Sequence, residues 1–318
     1  MRVFICQRAG KAFGYITDGW INCLRDKGHI AQRWDGQQSS WDTFDPDLYI
    51  GSTGHKQPIP NTRRAKVALH VNSWGPVEID TGNESKENIS ESPENIAWAF
   101  AQKPDVVLGY GFPQDQELWS NWTKKAGIPW VPMPTAGDKT IFQRQEGFRP
   151  YDFVYLGGRW TYKSHTLDQY LLPLLQLRLA YEIRGWGNWP PNISVRELPD
   201  HQSCQFLNSG NIGPCVSEKH THQFGIDIPE RCWKVALCGT LVLHDPVPRM
   251  EAIFPDAVIA SDPHDYIEKC VYYARHNDER IQLIEKQRQF VLNNHTYHHR
   301  ISGLLSATDF PTEAQQMI

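Results

Sequence analysis

The segment Tyr155-Leu-Gly-Gly-Arg-Trp-Thr-Tyr-Lys163 lies between an apolar run and a helical pattern. Gly157 and Gly158 let backbone N–H groups approach an anion, a helix N-terminus behind them adds partial positive charge, and Arg159 and Lys163 add full charges. The combination suits a phosphate, although a plain turn uses the same glycines. The chain has no Gly-x-x-x-x-Gly-Lys-Ser/Thr loop and no Gly-x-Gly-x-x-Gly, which turns the reading away from triphosphate hydrolysis and nicotinamide chemistry. Further on, Pro229 suits a first helical turn and Gly239 the end of the same helix. That turn would present Asp227, Glu230 and Arg231, with Lys234 one turn behind Glu230 on the same face. A surface i,i+4 salt bridge is the plain alternative for Glu230 and Lys234.

The N-terminal half offers a different set. Asp18 and His70 fall near expected strand-to-helix or strand-end positions, where a general base would stand, although both are more often structural there. Asp138, at the junction of the halves, could cap a helix. Arg8, Gly10 and Lys11, with His55, Lys56, Arg63 and Arg64, could form a basic rim, and Trp20, Trp34 and Trp74 are close in sequence. Such a rim suits an anionic acceptor. Nucleic-acid surfaces mix basic and aromatic residues in the same way, and a net charge of −4 argues only weakly against local DNA contact.

These residues need a scaffold, and 318 residues suit two domains of about 150 each. With 40 % apolar and 21 % charged residues the chain reads as soluble and globular, and no run approaches the ~20 apolar residues of a membrane span. The N-terminal apolar run is too short for a signal peptide, and seven cysteines without a Cys-x-x-Cys pair read as reduced thiols. The expected location is cytoplasmic, or the host cytoplasm for a viral protein. Twelve tryptophans exceed ordinary usage, and a few could stack on a sugar or base.

Buried runs at 2–6, 47–51, 65–72, 105–110 and 130–133 predict strands, with helices at 16–28, 94–102 and 114–126. The polar stretch 78–95 reads as a solvated loop. A second series places strands at 153–156, 182–185, 205–208, 241–244 and 257–260, and helices at 166–178, 229–238, 265–274, 279–292 and 297–306. The fold class is α/β, with two doubly wound Rossmann-like domains facing across a cleft. The expected division is 1–135, 136–305 and a tail, 306–318, that packs back on the N-terminal domain.

In order along the second half stand Phe153-Val-Tyr-Leu-Gly-Gly, Tyr162-Lys-Ser-His-Thr-Leu, Ile183-Arg-Gly-Trp-Gly, Leu207-Asn208, the run from Glu230 to Asp245, Ile253-Phe-Pro and His295-Thr-Tyr-His-His-Arg300. Over roughly residues 130 to 305 this resembles the CgeB-like, spore-maturation-type glycosyltransferases, which have the GT-B fold. The resemblance implies sugar transfer from a nucleoside diphosphate sugar, a UDP-sugar foremost, bound mainly by the C-terminal domain with no obligatory metal or other cofactor. Gly157, Gly158, Arg159 and Lys163 would face the diphosphate, Arg231 would hold its charge, Gly185, Trp186 and Gly187 would pass near the nucleobase, and Asn208 would lie near the sugar or phosphate. Arg231 and Lys163, helped by Lys234, would stabilise the departing diphosphate. Lys234 departs from the family, which commonly has an acidic residue there for the ribose hydroxyls. An ammonium only donates, so Glu230 or Asp227 would take the ribose, or donor recognition has changed. The acceptor side, with Arg8, Gly10 and Lys11, would meet a glycan, small molecule or protein, with a flipped hydroxymethylated DNA base as the alternative. A non-catalytic nucleotide-sugar binder and a nucleotide-sugar epimerase are the competing classes.

Overall fold

Apolar runs of four to six residues alternate with polar helices along the chain, and a fully buried parallel sheet produces that pattern. The computed structural model describes residues 1–6, 11–60, 64–71, 77–80, 86–89 and 93–310. It divides into one compact unit of Met1–Glu78, Asn88–Thr135 and Tyr297–Ile318, and another of Ile79–Glu87 and Ala136–Thr296.

In the first unit, β1 (Arg2–Cys6), α1 (Lys11–Asp26), β2 (Ile30–Trp34), α2 (Gln38–Phe44), β3 (Leu48–Ser52) and β4 (Lys66–His70) follow in order. β5 (Val77–Asp80) and β6 (Lys86–Ile89) form a separate two-stranded sheet. α3 (Pro93–Ala101), β7 (Val106–Gly109), α4 (Gln116–Ala126) and β8 (Trp130–Pro132) complete the main sheet, whose order is β2-β1-β3-β4-β7-β8 with every pairing parallel. Phe4, Trp34, Trp41 and Tyr49 pack together on one face of that sheet.

The second unit runs β9 (Tyr151–Leu156), α5 (Thr161–Tyr170), β10 (Tyr181–Arg184), α6 (Ser203–Asn208), β11 (Gly210–Cys215), α7 (Lys219–Phe224), α8 (Arg231–Leu237), β12 (Leu241–His244), α9 (Met250–Ile253), β13 (Val258–Ile259), α10 (Pro263–Arg275) and α11 (Asn277–Asn294). Its sheet is also parallel, in the order β10-β9-β11-β12-β13. Among the described residues no helix is long and apolar enough to cross a membrane, and all seven cysteines are buried and outside any disulfide.

Several elements differ from the sequence expectation. β2 is an edge strand with exposed and buried residues interleaved, so its Gln32 and Arg33 hide it from a search for apolar runs. Residues 205–208 are helical, and the strand follows at Gly210-Asn-Ile-Gly-Pro-Cys215, whose two glycines and proline read as a turn. Packing requires those glycines, because a Cβ on Gly210 would stand 2.5 Å from Val154 and one on Gly213 2.5 Å from Val235. Within 78–95, β5, β6 and the start of α3 replace part of the expected loop. The last helix, α12 (Tyr297–Ala307), belongs to the first unit, so the return begins at Tyr297 rather than at 306. Gly19 on α1 makes the notch for the Tyr297 ring, into which a Cβ would collide. His298 bonds Asp26 at 2.6 Å, and the Lys66 ammonium donates to the Thr308 carbonyl at 2.6 Å.

Gln287 of α11 shows how a helix can complete a sheet. Val242 pairs with β11 on one side, while β13 pairing begins only at Leu243. The buried Gln287 side chain fills the gap, accepting from the Val242 N–H at 2.7 Å and donating to the Val242 and Asp256 carbonyls. Gln287→Leu keeps the volume but strands those buried groups, and urea denaturation is expected to show a loss of about 2–3 kcal/mol.

Candidate functional site

The second sheet's order places its topological switch point between β9 and β11, where chain connections leave in opposite directions and a crevice forms at the carboxyl ends. The two strands pair as far as Ile212 opposite Phe153, and Pro214 has no N–H to extend the ladder. Arg231, the first residue of α8, enters the gap. Its Nε donates to the Leu156 carbonyl at 2.6 Å, Nη1 reaches toward the Val216 carbonyl at 3.5 Å, and the guanidinium lies 4.3 Å from the Tyr155 ring centroid. Gly157 leaves the room, since a Cβ there would overlap Arg231 Nη2.

Lys163, in the first turn of α5, is buried at 2 % exposure, with Nζ 5.2 Å from the Trp160 ring centroid. Among the described residues its ammonium makes no hydrogen bond or ion pair, and the Arg231 guanidinium makes no ion pair. Loss of hydration, followed by the field of Arg231, pushes the Lys163 pKa down to about 7 against the opposing pull of Glu218 and Asp245. A buried cation, Lys163, beside a half-buried one, Arg231, neither with a paired carboxylate, describes a site for an anion.

Around them stands a network that sequence reasoning missed. Asp245 is fully buried and accepts from the Ser217 N–H at 2.6 Å, the Ser217 hydroxyl at 3.0 Å, His222 at 2.9 Å and His244 at 2.9 Å. Burial opposes its ionisation, but the bonds from His222 and His244 prevail and hold the carboxyl well below its ordinary range. The Thr166 hydroxyl donates to the Ser217 carbonyl at 2.6 Å and ties α5 to the same loop. Next to it His220 places Nδ1 3.6 Å from Glu218 and Nε2 3.2 Å from Asp227. Burial lowers the His220 pKa, while the Asp227 bond and the two carboxylates raise it by more; burial raises that of Glu218. The only sequence signal was the polar run Ser217-Glu-Lys-His220, hidden because the strand before it reads as a turn.

Other expected site residues fall into separate roles. The loop after β9 continues pairing with the chain after β10: the Gly157 N–H donates to the Arg184 carbonyl and the Arg159 N–H to the Trp186 carbonyl, both at 2.9 Å. Those two N–H groups therefore serve the backbone and are not turned to an anion. Gly185 and Gly187, both at positive φ, allow this approach, because Cβ atoms there would overlap the Gly157 and Arg159 carbonyl oxygens. Gly158 faces Trp186, which stacks on Trp160 with centroids 5.1 Å apart and planes within 6°. The Arg159 guanidinium holds both Asp168 oxygens at 3.0 Å, so its charge is already paired. Lys234 bonds Glu230 at 2.7 Å and lies 5.0 Å from the Phe142 ring, making the i,i+4 pair a buried one, and burial lowers the Lys234 pKa. Asn208 is not brought to these residues. It closes α6 before the amino end of β11, where its amide bonds the Gln143 carbonyl and the Gln145 N–H.

In the first unit Asp18 pairs with Arg33 at 2.6 Å on α1, and His70 is buried at the end of β4 beside Trp20 and Tyr110. Trp20 and Trp34 are core residues and take no part in a basic rim. Arg8, Gly10, Arg63 and Trp74, and the Lys11 side chain, lie outside the described residues. Asp138 caps a turn, accepting from the Thr140 N–H at 2.9 Å.

Comparison with solved structures decides the fold. A mutant of phage T4 BGT in complex with UDP-glucose superposes with a TM-score of 0.62 at 12 % identity, over 97 % of this chain and 98 % of that one. Sucrose-phosphate synthase from Thermosynechococcus elongatus gives 0.62 at 10 % identity over 96 % and 97 %. An E. coli trehalose-6-phosphate protein bound with UDP-2-fluoro glucose gives 0.60 at 8 % identity over 98 % and 100 %. The chain has the GT-B fold. Within that fold, residues 163–306 match the model of a glycosyl transferase-like family, a span that contains Lys163, Arg231 and the Asp245 network. No curated protein matches the chain in sequence.

Folding of this GT-B chain must release a proton from Lys163 between pH 7 and its ordinary value near 10.5. The unfolded chain binds more protons in that window, so stability rises with pH. Relative to Lys163→Met, the wild type is expected to gain about 2 kcal/mol between pH 7 and 9 in urea denaturation.

Proposed function

We propose that this protein is a glycosyltransferase that moves a sugar from a nucleoside diphosphate sugar to an acceptor hydroxyl. The observation that carries the reading is the pair of neighbouring cations, buried Lys163 and half-buried Arg231, without a paired carboxylate at the switch point of the second sheet. In the transfer, the bond from the anomeric carbon to the diphosphate breaks with its electrons going to the leaving oxygen. The acceptor oxygen bonds that carbon and loses its proton to a base. Negative charge grows on the diphosphate as the carbon becomes cationic, and fixed cations aimed at the phosphates favour that state over the bound substrate. Arg231 and Lys163 are assigned this role, so that the transfer needs no obligatory metal and is expected to persist in EDTA.

A UDP-sugar is the donor we favour, because the T4 and E. coli neighbours are bound to UDP-glucose and UDP-2-fluoro glucose. The ordered strings of the second half and the family match over 163–306 support placement in the CgeB-like group. Lys234 engages Glu230, which leaves Asp227 as the carboxylate we assign to the ribose. Trp160 and Trp186 form a stacked pair suited to the nucleobase end. On the acceptor side, Asp18 is the base we favour, since its carboxylate is exposed whereas His70 is buried. Acceptor trials should include glycans, small molecules and proteins. A structural neighbour described as a DNA-modifying β-glucosyltransferase adds hydroxymethylated DNA to that panel.

Thermal shift against nucleoside diphosphates and their sugars tests the donor directly, since a ligand that binds only the folded chain raises Tm. Arg231→Ala removes a charge-assisted contact of about 1.5–3 kcal/mol and is expected to weaken the responding nucleotide roughly 10- to 100-fold in calorimetry. Binding should also take up a proton at Lys163, so Kd should rise as pH climbs above about 7. No response to any nucleotide would overturn the reading.

A further inference from the structure

At the opposite, amino-terminal edge of the second sheet lies a cavity of about 170 Å³, lined in part by Arg144, Arg149, Asn211, Asn277 and Arg280, with Glu146, which pairs with Arg144, also on its wall. Arg149 donates to the Gly210 carbonyl at 2.7 Å, the Thr240 hydroxyl at 2.9 Å and the Cys238 carbonyl at 3.2 Å. Arg280, only 5 % exposed, donates to the Asn277 side chain at 2.6 Å and to the Tyr273 and Ala274 carbonyls. Every one of these acceptors is neutral. Among the described residues neither guanidinium makes an ion pair, whereas Arg144 is matched by Glu285 at 3.4 Å and Glu146 at 3.6 Å.

The neutral bonds fix the orientation of both guanidinium groups without cancelling their charge. Burial depresses both pKa values; Arg144 and Arg280 depress that of Arg149 further while Cys238 and Glu146 raise it, and Asp152 raises that of Arg280. The N-terminus of the eighteen-residue helix α11 adds partial positive charge, offset in part by Asp278 and Glu279 in its first turn. Asn211 supplies a neutral amide on the cavity wall. Nothing in the proposed sugar transfer uses these groups, and the cavity opens at the edge of the sheet away from Lys163 and Arg231.

We propose that this cavity is a second anion site, which binds a phosphate group between Arg149 and Arg280, either as free phosphate or on a small phosphorylated metabolite. Replacing either arginine also removes bonds that hold the fold, so the test adds charge instead. Asn211→Asp sets a carboxylate on the cavity wall and leaves every arginine bond in place. Calorimetry with inorganic phosphate on the full chain carrying Arg231→Ala, which weakens the first anion site, at constant ionic strength, is expected to show millimolar binding that becomes at least tenfold weaker when Asn211→Asp is added. A crystal grown with tungstate as a phosphate mimic should carry an anomalous peak between Arg149 and Arg280, which keeps the test independent of the folding of any variant. Absence of phosphate binding in Arg231→Ala, equal affinity with and without the added Asn211→Asp, or tungstate found only elsewhere would each overturn the proposal. Competition by a hexose phosphate separates the sources: displacement at concentrations well below those of phosphate marks a metabolite site, and weaker displacement marks free phosphate.

Discussion

A cation buried away from water loses hydration and is repelled by a second cation beside it, and the carboxyl end of the second sheet maintains that arrangement at the buried Lys163 and the half-buried Arg231. The surrounding structure makes it tolerable. Arg231 is anchored to the Leu156 and Val216 carbonyls and rests on the Tyr155 ring, so its position does not depend on a carboxylate partner. Asp245 supplies negative charge from a distance while being fully occupied by Ser217, His222 and His244. Neither cation is cancelled by a paired carboxylate, so an anion placed beside them would gain the attraction that an internal ion pair would otherwise have satisfied.

The glycines near this site follow from the same geometry. Gly157 yields space to the guanidinium, while Gly185 and Gly187 let the chain after β10 lie against the chain after β9. That pairing fixes the loop and sets Trp186 on Trp160, with the Lys163 ammonium beside the latter. An anion held here would be recognised mainly by side-chain charge, because the Gly157 and Arg159 N–H groups already serve the backbone.

Lys234 looks in sequence like a lost acidic ligand, and in the fold it is half of a buried pair with Glu230. Breaking such a pair by removing one partner leaves an uncompensated charge, so the lysine and the glutamate have to be understood together. The pair also removes one carboxylate from those available to a ribose.

Much of the architecture was legible in the chain because buried parallel strands must be apolar throughout: β1, β3, β4, β7, β9 and β12 stand out as such runs. β11 did not, since its glycines answer to Val154 and Val235, residues remote in sequence. Losing β11 concealed Ser217, Glu218 and His220, which follow it. Residue type and local spacing picked out Lys163, Arg231 and the Glu230–Lys234 spacing. Sequence could not decide which charges were already matched, because Arg159 meets Asp168 through side-chain geometry, Asn208 is turned to the other edge of the sheet, and Arg149 and Arg280 converge from segments far apart in the chain. Local sequence determines which residues can carry charge, and tertiary structure alone determines which of those charges remain uncompensated.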